Sequence, residues 1–149
     1  MKFLQHSLVL LLLSLTTTVF SQTSRPQIFS KQPDRISCNT STLSGAFDIE
    51  EGKSISLLLS DNITFSGKVI SNIVKYSNLQ TMTIQLPSFG NAVLHLSKQI
   101  NDDKTINYVG RIMHKDASDG YLIEKNGNDY SFKKINTERI LEVCQSHLP

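Results

Sequence analysis

The side chains that could do chemistry are few and scattered. Beyond the apolar N-terminal block, histidines stand at 95, 114 and 147. His114 precedes Asp116 by two residues, a spacing at which a carboxylate can orient an imidazole as a base, yet no Ser or Cys is identifiable as a nucleophile beside the pair. His95 sits between Leu94 and Leu96 in an alternating run, which places it outward as an ordinary surface histidine. His147 falls in the C-terminal tail. The acidic turns Asn101 to Asp103 and Asp116 to Gly120, with Glu124 further on, offer oxygen ligands. Their spacing is not that of an EF-hand, and turns use Asp, Asn and Gly for backbone reasons. No HExxH, GxSxG or phosphate loop occurs, and no paired CxxC knuckles for zinc. The expectation is a protein with no catalytic residue, no metal and no cofactor.

Two cysteines remain, Cys38 and Cys144. The N-terminus fixes how they are read. Met1-Lys2 is followed by the apolar run Leu8 to Leu15, and Val19 and Ser21 suit the −3 and −1 positions of a cleavage site. That is a secretory signal peptide over residues 1–21, too short in its apolar part to span a bilayer of about 30 Å. No second apolar run follows, so the mature chain is expected to carry no integral membrane segment and to be secreted, extracellular or periplasmic. In an oxidising compartment an even cysteine count reads as a disulfide. Closing a loop of about a hundred residues stabilises by up to ~4.7 kcal/mol on the chain-entropy model. Without Lys2, 14 cations face 13 anions, a balance without the basic surplus that marks a nucleic-acid binder or a polybasic membrane patch.

The elements that would position these groups are short strands. Residues 22–42 are polar with two prolines and read as a flexible lead. From 43 to 149 a single β domain is expected. Strands are predicted over Ile55 to Ser60, Ile63 to Val74, Gln80 to Leu86, Ala92 to Ser97, Thr105 to His114, Tyr121 to Lys125 and Asp129 to Lys134. Met82, Ile84 and Leu86 point inward against outward Thr81, Thr83 and Gln85, the cleanest alternation in the chain. Asn126-Gly127 signals a tight hairpin. Asn136 to Cys144 fits a strand or a very short helix. The fold class is therefore all-β, an antiparallel meander of about seven strands forming a small barrel or sandwich.

One pattern occurs twice. Phe65-Ser-Gly-Lys-Val-Ile70 and Tyr108-Val-Gly-Arg-Ile-Met113 both read aromatic, any, glycine, cation, β-branched, apolar. Gly67 and Gly110 would face inward. A core-facing glycine lets a strand bend or another segment lie across it, as barrel closure requires. Most aromatics, among them Phe65, Tyr108, Tyr121, Tyr130 and Phe132, are expected in the core. Tyr76 and Phe89, near strand ends, are the expected exposed pair and the first place to look for a binding patch. Two sequons, at Asn39 and Asn62, would matter in a glycosylating host.

FSGKVIS, YVGRI, DGYLI and the closing cysteine make residues 43–144 resemble a set of small secreted bacterial proteins built of one all-β domain, a set with no assigned activity. The resemblance implies a fold and no catalytic residues. A fainter likeness is to the β-rich pro-segments of secreted zinc peptidases, although no Cys-Gly switch sequence is present. The functional expectation is a secreted, non-enzymatic β domain that binds a protein or cell-surface partner. The alternative is a free-standing inhibitor or pro-segment-like partner of a secreted peptidase.

Overall fold

The computed structural model describes residues 25–60 and 62–138. Eight strands form one antiparallel sheet: β1 Arg35–Cys38, β2 Ser54–Ser60, β3 Ile63–Tyr76, β4 Leu79–Leu86, β5 Ala92–Ile100, β6 Ile106–Met113, β7 Asp119–Asn126 and β8 Asp129–Asn136. From β2 to β8 each strand pairs with the next in sequence, the meander that short turns between alternating runs dictate. β1 then adds beyond β8, giving the order β1-β8-β7-β6-β5-β4-β3-β2. The outer strands β1 and β2 come side by side without a ladder, so the sheet nearly closes into a barrel. A short helix, α1 (Thr40–Ala46), carries the chain between them. It buries Leu43 and Ala46, and Thr42 donates from its hydroxyl to the Leu58 carbonyl of β2 at 3.1 Å.

Alternation built the walls as expected. Ile55, Leu57, Leu59, Phe65, Val69, Met82, Ile84, Leu86, Ala92, Leu94 and Leu96 are all buried. Five rings, Phe29, Phe65, Phe89, Tyr121 and Phe132, form an aromatic cluster in which Phe29 lies 4.8 Å from Phe89 and 5.2 Å from Tyr121, centroid to centroid. Each fully buried large side chain stabilises by roughly 1.5–3 kcal/mol relative to exposure. The β7–β8 hairpin turns through Gly127-Asn128, with Asn126 pairing with Asp129 and Gly127 at φ 63°. The Asn-Gly dipeptide thus supplies the last strand residue and the first turn residue.

The stretch expected to be a flexible lead is part of the domain. Ile36 and Cys38 are buried in β1, and Phe29 is fully enclosed. The reason is long-range. Asp119, itself buried, accepts the main-chain N–H groups of Ile28 at 2.8 Å and Phe29 at 2.9 Å, one on each carboxylate oxygen. The Tyr121 hydroxyl donates to the Pro33 carbonyl at 2.6 Å. The domain therefore begins before residue 43, and β1 is the eighth strand that raises the expected seven. The signal segment, His147, Cys144 and the Asn136 to Cys144 stretch beyond Glu138 lie outside the described residues.

Candidate functional site

The titratable groups raised by the sequence go to structural tasks. His114 Nδ1 accepts the main-chain N–H of Asp116 at 3.1 Å, while the Asp116 carboxylate lies 3.8 Å from Lys115 Nζ. The carboxylate does not orient the imidazole. His95 is on the outer face, as expected, with Nδ1 3.4 Å from Thr83 Oγ1. Partial desolvation, then the Arg111 charge, push its pKa below the ordinary histidine value. Asp103 accepts both the N–H (3.0 Å) and the hydroxyl (2.6 Å) of Thr105, which holds its carboxyl below the usual range and closes the β5–β6 turn. Glu124 lies between Lys133 Nζ (3.0 Å) and Arg35 Nη2 (3.1 Å). Among the described residues no three of His, Cys, Asp and Glu converge as metal ligands would.

Cys38 is the only cysteine among the described residues. It is buried at the end of β1, opposite Tyr130 in the ladder. Burial, then the Asp129 carboxylate, push its thiol up to about 12. Asn39 and Asn62 are both exposed; Asn39 is the residue before α1 and makes no capping bond from its side chain.

Tyr76 and Phe89 do not share a patch. Tyr76 is 69% exposed at the end of β3, beside a cleft of about 150 Å³ that Val74, Lys98 and Ile100 help line. Phe89 lies in the turn Pro87–Phe89, at the opposite end of β4, about 25 Å away at strand rise. Its ring packs 4.9 Å from Phe65 and 4.8 Å from Phe29. A position near a strand end is expected to face solvent; here the N-terminal segment packs over the turn and Phe29 receives the ring.

The register assembles a different surface. Across the outer face of β3–β6 it aligns Ile73, Thr81, Ser97 and Val109 in one row. The next row is Ser71, Thr83, His95 and Arg111, followed by Lys68, Gln85, Val93 and Met113. No Asp or Glu stands in these rows. Ile73 and Val109, at the two ends of the first row, are about half exposed. The face of β7, β8 and β1 is of another kind, crossed by the Arg35–Glu124–Lys133 ion pairs. There an open polar groove of about 450 Å³ runs beside β8, but Lys134 within it is held by the Gln32 carbonyl at 2.5 Å and by Asp34 at 3.2 Å. Each strand's outward residues were legible in sequence; the rows needed the register.

No protein-family model, no curated protein and no solved structure matches this chain. The functional reading therefore rests on the surface chemistry.

Proposed function

We propose that the protein is a secreted, non-enzymatic β-barrel domain that works by binding a protein or cell-surface partner through the outer face of β3–β6. The observation that carries this is the acid-free set of rows, with half-exposed Ile73 and Val109 at the two ends of the first row. A flat sheet face of Ser, Thr, Gln and aliphatic side chains desolvates at little expense, since it holds few charges that would need new partners. The test is capture from the native secreted and envelope fraction by the immobilised protein and by a Val109→Glu/Arg111→Glu variant. The variant is expected to lose the partners that the parent retains. Equal capture by both would remove this face as the site. A secreted peptidase among the lost partners would instead favour the inhibitor reading.

Secretion carries two further parts of the proposal. Cleavage after Ser21 predicts Gln22 as the mature N-terminus, read directly by N-terminal sequencing. The disulfide Cys38–Cys144 makes a geometric demand. Cys38 lies opposite Tyr130, six residues before β8 ends at Asn136, so about 20 Å of strand length separates the level of that end from that of Cys38, and the chain turns helical at Thr137 and Glu138. Six extended residues reach about 20 Å, and a disulfide adds about 5.5 Å between Cα atoms. A helical tail, rising about 1.5 Å per residue, falls short. Alkylation of denatured but unreduced protein should therefore label neither cysteine; labelling of both would refute the bond.

A further inference from the structure

We propose that two copies of this chain pair edge to edge, antiparallel, through the distal part of β3 about a two-fold axis at Ile73. The proposal shares Ile73 with the outer face but is read by self-association, not by partner capture.

β3 is fourteen residues long, but β2 ladders only with its first part, up to Ser54–Lys68. The edge closes with Gly52 N–H donating to the Val69 carbonyl at 2.8 Å and Val69 N–H donating to the Lys53 carbonyl at 2.9 Å. From Ile70 to Tyr76 no main chain among the described residues pairs on that side. Val69 turns its main-chain groups away from β4. The alternation of an antiparallel ladder therefore points Lys68, Ser71 and Ile73 toward their β4 partners Gln85, Thr83 and Thr81. It leaves the N–H and carbonyl of Asn72 and Val74 on the open edge.

An exposed edge is normally blunted by prolines, by charges, by brevity or by bulges. This one carries a single charge, Lys75, and is apolar: Ile70 is 44% exposed, Ile73 50%, Val74 67% and Tyr76 69%. The register shifts fall after Val69 and after Val74, so the run between them, Ser71 to Val74, is regular.

A second copy fits because the edge is complementary to itself. Only a register that opposes Asn72 to the partner's Val74 matches the outward main-chain groups on both sides. That register opposes Ile73 to the partner's Ile73 on the outer face and Ser71 to the partner's Lys75. Lysine never meets lysine. Each Lys75 instead approaches the start of the other edge, where Gly52 holds the acidic turn Glu50-Glu51 against Val69. Pairing thus joins unlike charges and covers four exposed apolar side chains per copy.

Sedimentation velocity on the purified protein, over a hundredfold range reaching about 100 µM, is expected to show a monomer–dimer equilibrium. Val74→Pro removes only an N–H that faces the open edge, so it should keep the fold, judged by circular dichroism and melting, and abolish the dimer. Ile73→Cys should cross-link between copies under mild oxidation, because residues of a non-hydrogen-bonded pair lie about 4.5 Å apart at Cα. Val109→Cys, equally exposed on β6, should not. A parent protein that is monomeric throughout, a Val74→Pro variant that still dimerises, or Ile73→Cys cross-linking no faster than Val109→Cys would each overturn the proposal.

Discussion

β3 and β6 carry the same six-residue pattern, and the difference between them shows what such a pattern encodes. In β3, Gly67 is paired with β2, and the ladder to β4 begins one residue on, at Lys68–Gln85. In β6, Gly110 is paired with β5, and the two-pair ladder to β7 begins one residue on, at Arg111–Leu122. Each glycine-cation step is thus a corner where one neighbouring strand parts from the ladder. Neither glycine has positive φ, so the requirement is steric. What crowds them differs. A Cβ on Gly67 would run into the Gln85 carbonyl and lie 2.7 Å from Ile84 Cγ2, all of it β4, the departing strand. On Gly110 it would lie 2.6 Å from the His95 carbonyl of the strand that stays and 2.8 Å from Ile123 Cδ1 of β7. The pattern specifies a corner with no room for a methyl group, and leaves open which strand does the crowding.

Alanine at the two glycines, alone and with Ile123→Ala, should separate the corners. Gly67→Ala must displace β4 main chain and is expected to destabilise by about 3 kcal/mol, read as a lower urea midpoint. Gly110→Ala must likewise displace main chain, the His95 carbonyl of β5, and should destabilise by a comparable amount, about 3 kcal/mol, to which the crowded tip of Ile123 contributes. Adding Ile123→Ala should recover part of the loss at Gly110 and none at Gly67; equal recovery at both sites would erase the distinction. The parting of β6 from β7 can be probed alone. Where they separate, Tyr108 N–H donates to the Tyr130 hydroxyl at 3.1 Å, and that hydroxyl reaches Asn107 Oδ1 at 3.3 Å. Tyr130→Phe leaves a buried N–H unpaired and should destabilise by about 1–2 kcal/mol, with no counterpart at the Gly67 corner.

Two smaller effects are pH-dependent. Burial raises Tyr121 to about 12 and, in reduced protein, Cys38 to about 12. A raised pKa contributes stability that is present below the unfolded value and is lost as pH climbs through the folded one. Melting temperature should therefore fall above pH 9 as each group passes its unfolded value; the proposed Cys38–Cys144 bond would make the fall smaller in oxidised protein, because a bonded Cys38 could not ionise. A pH-melting series on both forms reads this. Smallest is Glu124, held below its ordinary value by the Lys133 hydrogen bond and then by Arg35. Its contribution is present above the ordinary glutamate pKa and lost as pH falls through the lower folded value. Glu124→Gln should flatten that acid limb slightly, and added salt should hide the difference.

The strands were legible because a half-buried sheet writes a period of two into the chain, and β2 to β8 each hold enough residues to show it. β1 has four residues and follows Pro33 by two positions, and what makes it a strand is β8, nearly a hundred positions away. α1 spans under two turns, too few for a helical period to stand out. Ile106 followed the inward parity of β6 yet is 43% exposed, since the strand outruns the core. Gly120 was read as a turn residue. It is the second residue of β7, and its bare Cα admits the Ile112 carbonyl. The binding rows and the open edge of β3 were hidden for a shared reason: both are properties of register, and register is set between strands.

The pairing of β1 with β8 also sets an order of events at the ribosome. Hairpins from β2 to β7 can zip as they emerge, each closing a short loop. The segment synthesised before them cannot lock. Phe29 must wait for Asp119, and Arg35 to Cys38 must wait for Tyr130 to Lys133. The domain's earliest described stretch is thus the last to be fixed, which keeps the barrel open until β8 has been made.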